Sequence, residues 1–289
     1  MKNISRLLAG ILALSSILAV SRAQEQAPRS ETALPEKMQT VLAEIDQILE
    51  LANTFSDEHL KVVVRSRAAD TLWRIDEPRS RRLAIDNFKA IRVQGTGPAA
   101  IYIAASLERD ILMKAAYRDP GLVDQMLALD SVKPDHDLDR WLSMRAETLL
   151  MAANVNQGTH PDWAARIAQD ALDLQPSDYR VSREYSALLY RFQQRDRKLA
   201  ERLFDHALTI LGKNPEDLLA NVGWIATYVL PDLLRQVPAG SPTPSLDPQQ
   251  IRVLELVHDA VISASSVRGA INDRRTVAAL IPYYERLAP

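Results

Sequence analysis

The side chains able to do acid–base, nucleophilic or metal chemistry are scattered along this sequence. Five histidines, His59, His136, His160, His206 and His258, stand singly, none at ligand spacing from another, and no His-Glu-x-x-His occurs. Asp135-His136-Asp137-Leu138-Asp139 is the densest group of potential metal ligands. Acids at a helix start are also what capping and the helix dipole favour, so a capped turn is the first reading and a hard-cation site the second. Ser15-Ser16 and Ser265-Ser266 lack the Gly-x-Ser-x-Gly elbow of a nucleophilic serine. Gly95-Thr96-Gly97 is too short for a dinucleotide loop and follows a helix-like segment, where such a loop must follow a strand. The absence of cysteine excludes disulfides, thiolate metal sites and a cysteine nucleophile. No catalytic residue, metal ligand or cofactor is therefore assigned.

Arginine is the one chemically active type in excess, at 27 against 8 lysines. A GC-rich genome gives that bias without any function, and recognition of carboxylates or phosphates by planar guanidinium forks is the alternative. Arg79, Arg81 and Arg82 crowd the start of an expected helix, where positive charge opposes the dipole. The adjacent Asp76 and Glu77 supply an offset within a surface charge network. The other possibility is an anion-binding corner completed by free helix N–H groups.

The elements that would position such residues are helices. Leu60, Val63, Val64, Ala68, Leu72 and Ile75 fall on one helical face, as do Ile101, Ala104, Ile111, Leu112 and Ala115. No segment keeps a period-two alternation between hairpin turns. Ser56 and Asp76 are placed to cap helices, with Pro78 tolerated in a first turn. Asp119-Pro120, Lys133-Pro134, His160-Pro161, Pro176-Ser177-Asp178 and Asn214-Pro215 repeat the stop-and-start pattern, giving about twelve helices. Leu218–Leu230 reads as one buried helix carrying Trp224 and Tyr228, ended by Pro231.

Organisation follows from these breaks. Residues 1–23 read as a signal peptide: a basic start, the apolar run Leu7–Val20, and Ser21-Arg22-Ala23 as a small-x-small cleavage site. Residues 24–33 read as a flexible mature N-terminus, 34–237 as a helical body, 238–248 as a proline-rich loop, and 249–289 as a C-terminal helix pair. No stable transmembrane segment is expected after cleavage, since a span needs about 20 apolar residues.

Within the body, Leu83-Ala84-Ile85-Asp86-Asn87-Phe88 matches Leu199-Ala200-Glu201-Arg202-Leu203-Phe204, and Ala164, Ala168, Ala171, Leu172 and Pro176 give a third version. A small residue lets a neighbouring helix approach, and an aromatic one turn on fills the gap. The spacing from Ile91 to Ala128, Ala171 and Ala207 is 37, 43 and 36 residues. These residues resemble a degenerate tetratricopeptide repeat, whose unit is about 34 residues, over roughly 57–212. Segment 68–88, with Trp73 and Asp76 before the arginines, is similar to exported bacterial helical proteins. The resemblance implies an all-α fold of stacked antiparallel helix pairs, an α-solenoid. It also implies that Asn156, Gln157, Tyr185 and Gln193 line the binding face of the first helices. The lysine–asparagine clamp of chaperone-tail binders is not evident, so no C-terminal carboxylate ligand is implied.

The formal charge is −2, and loss of residues 1–23 removes Lys2, Arg6 and Arg22 to leave −5. That balance does not favour nucleic acid. The expectation is a periplasmic or secreted bacterial scaffold that binds a protein or peptide partner. The alternative is an α-helical hydrolase acting on cell-envelope material with paired carboxylates from distant helices. N-terminal sequencing of exported protein should find Gln24 at or near the start. An intact Met1 on protein recovered from the cytoplasm would refute the signal assignment.

Overall fold

A computed structural model describes residues 36–91, 97–129, 137–174, 183–230, 246–263 and 280–281. The signal-like segment, residues 24–33, Gly95-Thr96, Asp135-His136, Pro176-Ser177-Asp178, most of 238–248 and Ser265-Ser266 lie outside the described residues. The described chain is all α-helical, with twelve helices, in a helical-repeat arrangement. They are α1 Glu36–Asn53, α2 Glu58–Leu72, α3 Glu77–Ala90, α4 Pro98–Arg118, α5 Pro120–Leu127 and α6 Leu138–Asn156. There follow α7 Pro161–Asp173, α8 Arg183–Arg195, α9 Arg197–Leu211, α10 Pro215–Ala220, α11 Val222–Val229 and α12 Pro248–Ser263. The chain divides into two units, Met1–Glu44 and Ile45–Pro289. In the first, Thr40 Oγ1 donates to the Glu36 carbonyl; helices α2 to α12 belong to the second.

Local sequence sets the breaks. Asp57, Asp76, Asp119, Asp196 and Asn214 each accept a backbone N–H of the first turn they precede. Such caps contribute about 1 kcal/mol each. Asp57, not Ser56, caps α2. Pro78, Pro98, Pro120, Pro161 and Pro215 occupy first-turn positions, where the missing N–H costs nothing. Asp247 and Gln250 form a reciprocal capping box at α12: each backbone N–H donates to the other's side chain, at 3.0 and 2.8 Å.

Connections of a few residues force consecutive helices antiparallel, as α2/α3, α4/α5, α6/α7 and α8/α9. The Tyr185 hydroxyl donates to the Leu203 carbonyl at 2.7 Å across the last of these pairs. Alternate helices run parallel. Between α2 and α4, Ser66 meets Asp110 and Asp70 meets Arg118. Between α4 and α6, Arg109 meets Glu147 and the Ala116 carbonyl accepts from Asn156. Partner numbers rise together along both helices, which is possible only for parallel neighbours. Among second helices the ties Arg81–Asp119, Trp163–Asp124 and Arg202–Asp162 span 38, 39 and 40 residues. First helices thus form one layer and second helices another, advancing about one pair per 40 residues.

Alanine sits at the helix contacts. Ala104, Ala116, Ala152, Ala153, Ala164, Ala168, Ala171, Ala200 and Ala207 are all at most 1% exposed. One cluster joins α2 to α6 through Val62, Phe88, Ile101, Leu112 and Met126. A second joins α6 to α12 through Leu150, Ile167, Phe204, Ile225 and Leu254. Val253, Leu254 and Val257 of α12 close the latter over Leu218, Leu219 and Val222.

Two expectations are corrected. Leu60 and Val63 face outward, and α2 instead buries Val62, Val64, Ser66, Ala68, Ala69 and Leu72, because neighbours contact it on more than one side. The run Leu218–Leu230 is not one helix. It breaks at buried Asn221, whose N–H and side-chain amide both return to α10 carbonyls, and Trp224 and Tyr228 are half-buried. Tyr228 stacks on Phe204 at 4.4 Å. Ala200 is fully buried, so Ala200→Trp should overpack the α8/α9 layer and lower stability by about 1–3 kcal/mol. Urea denaturation reads this as a shifted midpoint.

Candidate functional site

Two of the three arginines at the start of α3, Arg79 and Arg81, are paired with the protein's own acids. Arg79 pairs with Asp46 of α1. Arg81 bridges Glu77 at 2.7 Å and Asp119 at 2.5 Å. Arg82 reaches the Pro78 carbonyl at 3.4 Å. The helix N–H groups that an anion would use are partly taken by Asp76, which accepts from the Arg79 amide. The hydrogen bond to Asp119 raises the Arg81 pKa above its ordinary value, against the effect of burial. Burial pushes Asp119 up, but Arg81 and the Gly121 N–H outweigh it and hold the carboxyl below the usual carboxylate range. Asp46 of α1, Glu77 of α3 and Asp119, the N-cap of α5, thus neutralise Arg79 and Arg81.

Beside them lies a cleft. Trp73 ends α2 and takes Arg81 on its ring at 4.8 Å and Arg118 at 5.3 Å, each a cation–π contact. Arg118 also pairs with Asp70, and Lys114 with Asp110 at 2.6 Å and Ser66 at 3.2 Å. Asp70, Trp73, Lys114 and Arg118 line this cleft with Ser66, Ser80, Ala84 and Leu122, and its interior of about 20 Å³ has room for about one water.

Glu108 of α4 is the one buried acid among the described residues, 4% exposed. Its partner is Arg145 of α6, with Nε at 3.3 Å from Oε1. Desolvation raises the Glu108 pKa and the Arg145 charge opposes it. Among the described residues Glu108 faces a guanidinium and no second buried carboxylate. No group of three or more potential metal ligands is found there either.

The residues carried over from the repeat resemblance separate. Tyr185 is fully buried, its hydroxyl bonded to Leu203. Asn156 is buried and donates to the Ala116 and Ala152 carbonyls at 2.9 and 3.1 Å. Gln157 caps the C-terminus of α6 with its Oε1 buried and unbonded. Gln193 is exposed on α8. Asn154 and Tyr190 stand at the face instead. Asn154 donates to the Glu184 carbonyl at 3.2 Å and accepts from Arg191 at 3.1 Å, tying α6 to α8. Tyr190, next to Arg191, is 61% exposed and Tyr117, next to Ala116, is 70% exposed. Met151 lies between them on α6 and is also exposed. By the ties through Ala116 and Asn154, Tyr117 and Tyr190 both lie near the level of the C-terminal end of α6, on parallel helices. Tyr102 and Ile103 are exposed near the N-terminal end of α4. Across α2–α9, every exposed large apolar side chain among the described residues belongs to a first helix. The second helices α3, α5, α7 and α9 expose none.

Arg145→Met should strand Glu108 in the α4/α6 seam and cost about 3–5 kcal/mol at neutral pH. A carboxyl with a raised folded-state pKa contributes stability that is present below its unfolded value and lost as pH rises through the folded one. Removing Arg145 raises the folded value further, so the cost should shrink as pH falls from 8 toward 4. Urea titrations across that range measure it, and a pH-independent cost would contradict the assignment.

Comparison of the chain with family models, with curated proteins and with solved structures finds no match in any of the three.

Proposed function

We propose that this chain is an exported scaffold that binds a protein or peptide segment along its layer of first helices, in the manner of a tetratricopeptide-like stack. The observation that carries the reading is the segregation of exposed apolar side chains into that layer. Single exposed apolar residues are ordinary on any protein surface. Their confinement to one of two otherwise equivalent layers is not accounted for by folding, because none of them fills the core. Exposed tyrosines are also the residues that interfaces use as anchors, offering large contact area with few rotatable bonds. Stacked pairs present such anchors at regular steps. The expectation of export rests on the signal-like residues 1–23. No described helix is long and apolar enough to cross a membrane.

The test compares the wild-type chain with Tyr117→Ala/Tyr190→Ala and with Arg166→Gln on the second-helix layer in pulldowns from an envelope extract. A partner held by the first-helix layer should lose about tenfold or more in affinity with the tyrosine double variant, and nothing with Arg166→Gln. Loss with Arg166→Gln alone would move the site to the opposite layer.

A further inference from the structure

We propose that the segment bound by the first-helix layer is acidic, with carboxylates beside apolar or aromatic side chains. This rests on the preceding reading of the layer and adds the chemical class of its partner.

The argument is one of charge. Helices α2, α4, α6 and α8 carry eleven lysines and arginines against seven aspartates and glutamates. Helices α3, α5, α7 and α9 carry eight against eight. The whole chain has 35 basic and 37 acidic residues. Positive charge is therefore concentrated in the layer that also exposes the apolar side chains, within a slightly acidic protein. Most of the second-layer arginines are used internally, Arg81 on Asp119, Arg166 on Asp124 and Arg202 on Asp162. In the first layer, Arg67, Arg140, Arg183, Arg191 and Arg195 make no ion pair among the described residues. Arg191 touches the neutral Asn154, and the Arg195 guanidinium lies over Gly158 at the C-terminus of α6.

Arg191 and Arg195 are one turn apart on α8 and Tyr190 immediately precedes Arg191; all three are exposed. Exposed guanidiniums and an exposed phenol ring on one helix accept carboxylate and apolar groups together. A partner alternating these two kinds of side chain satisfies both the unpaired charge and the exposed rings, and its approach is favoured by complementary potential. A basic segment would leave the arginines facing like charge. A purely anionic chain would leave the tyrosines uncovered.

The experiment measures binding of fluorescent polymers to the full chain by anisotropy: a glutamate–tyrosine copolymer, polyglutamate, a lysine–tyrosine copolymer and a single-stranded DNA oligonucleotide. The expected result is tightest binding of the glutamate–tyrosine copolymer, at least about tenfold over each of the others. That binding should weaken about tenfold with Tyr190→Ala and with Arg195→Glu, weaken with salt, and be unchanged by Arg166→Gln. Arg195→Gln replaces Arg195→Glu if the thermal midpoint shows that the latter fails to fold. Equal binding of the lysine–tyrosine copolymer, lost in Tyr190→Ala, overturns the acidic class while leaving the layer as the binding face. Equal binding of polyglutamate or DNA reduces the effect to counter-ion attraction and overturns the proposal. Glutamate–tyrosine binding that ignores both Tyr190→Ala and Arg195→Glu overturns the face and the partner class together. No binding of that copolymer overturns the acidic class alone.

Discussion

Close approach of helices through buried alanine is the constraint on which the rest of this structure depends. The chain has only four phenylalanines, so it cannot fill wide gaps between helices with aromatic bulk. It narrows the gaps instead. Ala152, Ala153, Ala164, Ala168, Ala171, Ala200 and Ala207 are without measurable exposure. Each marks a place where a second helix leaves no room for a longer side chain. Interiors of that density respond to a single extra methylene, so the alanines fix the sliding position of one helix on another more tightly than leucine contacts would. That fixed register is what makes the inter-helix polar ties recur at 38, 39 and 40 residues.

The polar ties select this register more than they stabilise it. Most are partly exposed pairs, each worth roughly 0–1 kcal/mol. Arginine suits the task because its side chain is long enough to bridge helices and its fork can hold two acceptors at once, as Arg81 does with Glu77 and Asp119. The excess of arginine over lysine thus finds a structural use in bridging. Glu108–Arg145 is the exception in energy. It is buried, its desolvation exceeds what the pairing returns, and breaking it from one side leaves an uncompensated charge.

Much of the fold was legible in the sequence because its signals are local. Proline positions, acidic caps and the small residues of the second helices are set by the backbone of a single turn, and they placed Asp76, Pro78, Ala164, Ala171 and Ala200 correctly. The outward face of the first helices was not legible. A first helix is contacted by its own second helix and by first helices before and after it, so its buried positions spread around much of its circumference, as Val62, Val64, Ser66 and Ala69 do on α2. Apolar periodicity then loses the direction it has in a helix buried on one side. Hence Tyr185 and Asn156, expected at the face, lie within the packing, while Asn154 and Tyr190 occupy it. Tyr185 is tolerated inside because Leu203 offers its hydroxyl an acceptor, a partner eighteen residues away that no local pattern announces. The break at Asn221 was hidden for a related reason: an apolar run of that length reads as continuous until a buried amide is seen to close one helix.

The two layers of the stack obey the same packing rules, so a difference between their outer surfaces must come from something other than packing. Tyr190 and Tyr117 could each be a charged residue without loss to either core cluster, since neither belongs to one. Placing such rings in water works against solubility. The second layer shows the solution that folding and solubility alone would favour, a balanced charge lattice with no large apolar group exposed. The first layer departs from that solution in two ways at once, by exposed rings and by unpaired guanidiniums. Both departures lie within the same C-terminal half of α8, where Tyr190, Arg191 and Arg195 fall within six residues. The proposed partner would cover both departures at that one place.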